Sequence, residues 1–447
     1  MKKKNPIAIS LAALLACATV PAAALTARTV MELSAKNEGV QTERAVKSIS
    51  LTFPVNGQST SILKPNVVKY IEAMHEHAKT LENDYVLHNS YITGEDGNVV
   101  KEYETEFDQL RVNDFRTTSN NEEKSKLVAL VFDASGFANN QVYKVTYGLK
   151  QYLSDGIVIE TTDTFVTVSN LFANKTYYWK VSTDDVSSEV QTFNTFDGFR
   201  MITANGITNV RDMGGRPVKG GKHIKQGLIF RGGELVSEDY TVDGSTHHKN
   251  LTDENVAVMR DELGITYEID LRGDAESNNI TESPLKDVNH NVDYLRIPNM
   301  PAYEWFYKKI VLTDFEHREG IKQMMLAFKN ANNKHVYFHC RGGADRTGTV
   351  GFLLGGLLGM SYTDLIIDYE LTTFSGNYRP HNINDNGRYF TFPAMIYAIK
   401  NIKKPNSDET YWTETKEISV LIEEILIDYL GLTKQDINDI KANLIED

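Results

Sequence analysis

The stretch HVYFHCRGGADRTGTVGFLLGGLLG, residues 335 to 359, leaves a chain few ways to fold, because it runs strand, glycine-bearing loop and helix together without a spare residue. Val336, Tyr337 and Phe338 are β-branched or aromatic, as a short buried strand requires. From Thr347 onward, Val350, Phe352, Leu353, Leu354, Leu357 and Leu358 predict an apolar helix. Between the two, Gly342 and Gly343 tolerate backbone conformations that turn successive N–H groups inward, and the helix presents its positive end to the same hollow. Arg341, Gly342, Gly343, Ala344, Asp345 and Arg346 are therefore candidates for holding a dianionic phosphoryl group.

Cys340 opens this loop, with five residues between it and Arg346. Inward N–H groups, a helix terminus and a guanidinium all stabilise negative charge on sulfur, and the thiolate is the form that attacks phosphorus. Arg346 offers a planar fork that binds two phosphoryl oxygens at once and follows them into the transition state. Thr347 can hydrogen-bond the sulfur and help it leave, and His339 precedes it.

HCRGGADRTG resembles the signature loop of the cysteine-dependent protein tyrosine phosphatases: His-Cys, five residues, Arg, then Ser or Thr. More narrowly, the chain is similar to the bacterial branch whose domains open with Asn-Phe-Arg-Asp-Leu-Gly-Gly, a place taken here by NVRDMGG, Asn209 to Gly215. Further echoes are GLIFRGGEL (Gly227 to Leu235), YEIDLRGDAE (Tyr267 to Glu276) and IDYELTTFS (Ile367 to Ser375), so the resemblance covers roughly residues 200 to 445, within a catalytic domain expected over 200 to 447. It implies an α/β cysteine-phosphatase fold and a reaction through a phosphocysteine, with Cys340 as nucleophile and Arg346 as phosphoryl clamp. Such chemistry requires no metal or cofactor.

Within this domain, Asn209, Arg211 and Asp212 either brace one another beside the loop or form a surface turn. Arg231, after a predicted strand, supports the loop, binds an anionic substrate or makes an ordinary ion pair. The general acid is the least determined residue. The resemblance points to Asp270 of the Asp-Leu-Arg motif, with Glu304 and Asp274 as alternatives, but Asp270 serves equally as an ion-pair partner orienting Arg272 or Arg346.

The 447 residues are too many for one ordinary core. Residues 48 to 196 alternate apolar and polar positions in short runs separated by Gly, Asn, Asp and Ser, which predicts an all-β sandwich. The segment holding Tyr177, Tyr178 and Trp179 resembles the later strands of fibronectin type III domains; VVKYIEAMHEHAKTL departs from them and predicts a helix inserted within residues 65 to 121. The expected architecture is thus multidomain, with this sandwich joined to the catalytic domain across Thr195 to Thr203 and serving as a spacer or as a docking module for protein or cell envelope.

Met1 to Lys4 is positive, Ile7 to Ala16 apolar and Pro21 to Ala27 rich in alanine, the pattern of an export signal spanning about residues 1 to 25. Either cleavage follows Ala24 or Ala27, or LLAC makes Cys17 the lipidated first residue of an anchored lipoprotein. The protein is then expected outside the cytoplasm, periplasmic, secreted or membrane-anchored. The chain has two cysteines, so an exported product keeps Cys340 without a partner for an internal disulfide. A net charge of −13 disfavours nucleic acid as a partner. His247 and His248 lie in a polar loop and read as surface residues, not metal ligands.

The resemblance leaves the substrate open among phosphotyrosyl proteins, phosphoseryl groups and inositol phosphates. Loops of the inositol lipid type carry Lys near the position of Ala344, so its absence favours phosphotyrosine or a small phosphomonoester. A catalytically weak phospho-ligand-binding surface protein is the reading of a different class.

Overall fold

The computed structural model describes residues 46–79, 112–117, 123–242, 244–298, 300–301, 315–330, 334–377, 379, 399–413 and 416–446, and the backbone of 91–93 and 99–101. The export signal with Cys17, Glu304 and most of the inserted stretch after the first helix lie outside the described residues.

The phosphatase-like half is built on a six-stranded sheet. The strands that precede this sheet in the chain lie in the N-terminal half. The six-stranded sheet contains β9 (Arg200–Met201), β10 (Arg211–Asp212), β11 (Ile229–Gly232), β12 (Ile265–Asp270), β13 (Asp293–Arg296) and β14 (His335–His339). Their order is β9-β10-β11-β14-β12-β13; β11, β14, β12 and β13 run parallel to one another, while the β9–β10 and β10–β11 pairs are antiparallel. The strand read first from the sequence is therefore central, and Val336, Tyr337 and Phe338 are fully buried within it. Register brings Gly232, His339, Asp270 and Arg296 into one row at the carboxyl ends of these four strands. In a parallel sheet, that edge is where ligand sites form, and Cys340 is the next residue out.

Helices cover the sheet. The inserted helix of the N-terminal half is α1 (Pro65–Ala78); α2 (Phe315–Asn330) lays Phe328 edge-on to Phe338 of β14, ring centroids 5.7 Å apart. The helix after the loop, α3 (Asp345–Leu358), is buried from Thr347 to Leu358. It is followed by α4 (Tyr362–Leu371), by α5 (Ile418–Glu424), which buries Leu421 and Ile422, and by α6 (Lys434–Leu444). Helix α6 starts at a capping box: Thr433 accepts from the Asp436 backbone, while the Asp436 carboxylate accepts from the Thr433 N–H at 2.8 Å.

The core of the N-terminal half lies between two sheets, as its period-two pattern predicts, and residues 91–93 and 99–101 form a separate two-stranded ribbon. One is β1 (Ser48–Phe53), β3 (Val128–Ser135) and β6 (Phe165–Val168) in the order β1-β3-β6. The other places β2 (Gln58–Thr60), β4 (Tyr143–Gly148), β5 (Ile157–Thr161), β7 (Thr176–Ser182) and β8 (Gln191–Thr195) in the order β2-β8-β7-β4-β5. Leu130 and Phe132 from the first sheet and Trp179, Val181 and Phe193 from the second are buried in one core. Helix α1 spaces Val67, Tyr70 and Met74 along one buried face.

The joint after β8 is not a free linker. Phe199, Arg200 and Met201 are buried, and Arg200 donates to the carbonyls of Leu171 (3.1 Å) and Asn170 (2.6 Å) and to Asp212 (2.8 Å). Residues Ser48 to Asp447 accordingly form one compact unit.

Candidate active site

The loop between β14 and α3 is shaped by what binds its carbonyls from outside. The Glu234 N–H donates to the Arg341 carbonyl (3.0 Å), Asn209 Nδ2 to those of Gly342 (3.2 Å) and Gly343 (2.9 Å), and Arg231 Nη2 also to Gly343 (3.0 Å). A trans peptide points its C=O and the following N–H in opposite directions. With three successive carbonyls drawn outward, the N–H groups of Gly342, Gly343 and Ala344 turn to the inner side, where the first N–H groups of α3 also lack helical partners. Gly343 has φ +64°, and a Cβ on it would stand 2.3 Å from the Gly232 carbonyl carbon, so glycine is required there. Gly342 has no such constraint, so one of the two loop glycines carries the requirement.

The frame behind the loop centres on Asp368 of α4. Its Oδ1 pairs with Arg211 Nε (2.8 Å) and Arg216 Nη2 (2.9 Å), and its Oδ2 with Arg231 Nη1 (2.6 Å). All three arginines are fully buried. Burial opposes the charge on Asp368, yet Arg211, Arg216 and Arg231 hold its carboxyl far below the ordinary range. For Arg211, burial and the like charge of Arg231 win over Asp368 and hold the guanidinium down at about 10. Arg211 also donates to the Asn209 side-chain oxygen, so the hub reaches the loop twice, through Asn209 and through Arg231. A Cβ on Gly351 would lie 2.4 Å from Arg231 Nη1, which is why α3 carries a glycine where this guanidinium crosses it.

Cys340 is a free thiol and 3% exposed. Arg346 is part-buried and gripped by both oxygens of Glu276, at 2.6 and 2.8 Å, with a further bond to the Leu271 carbonyl at 3.1 Å. Burial works against the guanidinium charge, but the Glu276 bonds and the neighbouring Cys340 and Asp270 charges raise its pKa above the usual arginine value. Burial likewise opposes the Glu276 charge, and Arg346 lowers its pKa below the ordinary one. Thr347 Oγ1 is buried with no hydrogen-bond partner among the described residues, a hydroxyl left available beside the sulfur's loop.

Of the two roles open to Asp270, the geometry supports the ion pair. The carboxylate is fully buried and takes bonds from Arg272 Nε (3.0 and 3.1 Å), Arg272 Nη2 (2.7 Å), the Arg272 backbone (2.9 Å) and the Tyr294 hydroxyl (3.0 Å). Burial would raise its pKa, but the His339 charge and the Arg272 bonds override that and lower it to about 2. A carboxylate so held has no proton to give at neutral pH. His339, also fully buried, bonds Glu268 Oε1 (2.9 Å) and the Cys340 carbonyl (3.3 Å), so it orients the start of the loop from below.

The remaining predicted residues separate in space. Asp212 does not reach the loop: it pairs with Arg200 and accepts the Gly214 and Gly227 N–H groups, both at 2.7 Å. Arg272 serves Asp270, Glu234 (3.0 Å) and the Tyr240 hydroxyl (2.8 Å). Asp274 is largely exposed and paired with Arg296. Arg341 is exposed and donates to the Thr246 carbonyl (3.1 Å), Ala344 is buried, and Asp345 is held by Arg379 at 2.7 and 2.8 Å. His247 is a correction: it is 1% exposed, because its ring stacks on Tyr240 with centroids 4.6 Å apart and its Nδ1 meets Glu234 Oε2 at 2.7 Å.

The sequence reading did not single out Asp368, Arg216, Glu276 or Glu268 for a role. Asp368 had one available signal, an acid set directly between the apolar residues Leu365, Ile366 and Ile367 and the aromatic Tyr369.

Comparison with known proteins agrees with this geometry. The sequence model described as "Tyrosine phosphatase family" matches residues 202–446. A protein of Cupriavidus necator that carries the provisional name of tyrosine-protein phosphatase is 25% identical over 179 residues, which cover 36% of this chain. The chain spans 59% of that relative's length.

Proposed function

We propose, given that this chain belongs to the tyrosine phosphatase family, that it is an exported phosphatase that hydrolyses phosphotyrosyl proteins through a phosphocysteine. The observation that carries the reading is the outward tethering of three successive loop carbonyls, which leaves inner-facing N–H groups between Cys340 and Arg346. In the first step the Cys340 sulfur forms a bond to phosphorus as the bond to the tyrosyl oxygen breaks. The three non-bridging oxygens are held by Arg346 and the loop N–H groups, and Glu276 keeps the guanidinium plane fixed while charge develops. The departing oxygen takes its proton from Asp345, the carboxyl carried by the loop itself; at 29% exposed it differs from the fully buried Asp270 in being reached by solvent, so that it leaves Arg379 and takes up a proton before this step. In the second step water attacks phosphorus, its proton passes to Asp345, the sulfur–phosphorus bond breaks and inorganic phosphate leaves.

Ala344 supports a phosphotyrosyl substrate over a highly charged inositol phosphate, since it is buried and leaves Arg341 as the basic side chain beside the cradle. The strands of residues 48 to 196 are read as a fibronectin type III-like sandwich, residues 200 to 447 as the catalytic domain, and the leader as the route of export.

The test is a comparison of kcat/KM for phosphotyrosyl peptides, phosphoseryl peptides and inositol phosphates on the purified protein. Phosphotyrosyl peptides are expected to lead, and a preference for either other class would overturn the substrate assignment. For the proton, Asp345→Asn is expected to lower kcat on a phosphotyrosyl peptide by about 10²-fold, within the usual worth of a general acid. Its effect on p-nitrophenyl phosphate should be smaller, because that leaving group needs less protonation; equal losses on both would mark Asp345 as bracing only. Asp270→Asn should leave the acid limb of the pH profile in place while destabilising the fold by about 3 kcal/mol, the cost of removing one charged partner of a buried guanidinium.

A further inference from the structure

The frame of the loop receives contacts from a part of the chain that the family's sequence model does not cover. Glu123 is 7% exposed, and its Oε2 accepts the backbone N–H of Asn209 at 2.7 Å. Asn209 has φ +60°, the left-handed conformation that asparagine adopts more readily than most side chains. That conformation lets one residue offer its backbone N–H to Glu123 while its Nδ2 holds the Gly342 and Gly343 carbonyls at 3.2 and 2.9 Å. The two residues that follow Glu123 are themselves tied to the catalytic half: Lys124 donates to Asn205 at 2.8 Å, and Ser125 bonds Thr203 at 2.9 Å.

Helix α1 adds a second point of attachment. Its Tyr70 hydroxyl donates to Glu370, and its His75 Nε2 meets Asp364 Oδ1 at 2.8 Å. Both partners lie on α4, on either side of the hub residue Asp368. The N-terminal half therefore grips Asn209, which draws two of the loop carbonyls outward, and the helix whose Asp368 holds Arg231, the side chain that also draws on Gly343. A spacer or a docking module would need neither grip.

We propose that Glu123 is a positioning residue of the active site, holding through Asn209 the conformation in which the loop presents its N–H groups, so that the N-terminal half completes the catalytic machinery. The inference rests on the phosphatase reading of the loop. It predicts that the loop's ability to bind a transition-state anion depends on an oxygen acceptor at position 123.

The experiment uses the full chain as wild type, Cys340→Ser, Glu123→Ala and Glu123→Gln, assayed on p-nitrophenyl phosphate with vanadate as the anion probe, well below the melting temperature of each. Glu123→Ala is expected to lower kcat by about 10- to 100-fold, the effect of a small misplacement in a preorganised site, to weaken vanadate inhibition in parallel, and to change KM far less. Glu123→Gln keeps an oxygen that accepts the Asn209 N–H and should restore most of both. A purely structural role would lower the melting temperature without this split or this rescue. If Glu123→Ala does not fold, Glu123→Asp, which draws the acceptor back by one methylene, replaces it with the same expectation. Wild-type kcat and vanadate affinity in Glu123→Ala would overturn the inference while an active wild type and a dead Cys340→Ser upheld the phosphatase reading. Equal damage from Ala and Gln would also overturn it, because the acceptor oxygen would then not be what matters. A wild type without turnover would instead remove the phosphatase reading, and this inference with it.

Discussion

Asp368→Asn is expected to lower the unfolding free energy by about 3–5 kcal/mol, the range for removing one partner of a buried ionic group, and to take most of the turnover with it. The substitution keeps size and shape, so the loss comes from charge. Arg211, Arg216 and Arg231 are fully buried and converge on this one carboxylate. Without it, three like charges remain together away from water; Arg211 is already held down at about 10 by burial and by Arg231. Since whole domains are stable by only about 5–15 kcal/mol, the effect is large.

The pH dependence follows from the same carboxylate. Its pKa is far below the ordinary value in the folded protein, so unfolding takes up a proton under acid. The stabilisation is then complete above the unfolded pKa of about 3.9 and declines as pH falls below that value. Chemical denaturation of wild type and Asp368→Asn at pH 7, and again near pH 3, measures both parts. The difference between the two proteins should be full at pH 7 and smaller in acid. Equal midpoints at pH 7 with unchanged slopes would mean that the hub is not what holds the loop's frame.

The hub also shows where a sequence stops being readable. Local order was legible: the strand ending at His339, the loop and the helix after it follow from residues that are neighbours in the chain, as do α1, the box at Thr433 and Asp436, and the alternation of the N-terminal strands. The quoted motifs around Asn209, Arg231, Glu276 and Asp368 were visible as motifs, but their mutual roles were not. Asn209 and Gly343 are 134 residues apart, and Arg211 and Asp368 are 157 apart, so no periodicity connects them. A side chain's charge state is decided by such distant partners. That is why Asp270 read equally as acid or ion pair until Arg272, Tyr294 and His339 were seen to enclose it, and why His247 read as a surface residue before Tyr240 and Glu234 covered it. The attachment of the N-terminal half lies further still from sequence logic, with Tyr70 and Glu370 separated by 300 residues.

Cys340→Ser is expected to cost at least about 10⁴-fold in turnover, as removal of a covalent nucleophile does when the rest of a site stays in place. The cradle that would hold the phosphoryl group is built from elements other than the sulfur: the loop N–H groups are set by Glu234, Asn209 and Arg231, and Arg346 is set by Glu276. Vanadate and phosphate should therefore still bind the serine variant within several-fold of wild type, even though hydrolysis stops, because a hydroxyl in the same position does not supply the anion that attacks. Rapid quenching of wild type in acid, followed by mass spectrometry of the peptide containing Cys340, should show one added phosphoryl group that the serine variant lacks. These two readouts separate nucleophile from scaffold. If hydrolysis survived in Cys340→Ser, water would have to be attacking phosphorus directly and the loop would be a binding cradle alone. If anion binding vanished together with turnover, the sulfur would be holding the loop in shape, and the outward tethers at Gly342 and Gly343 would not suffice to maintain it.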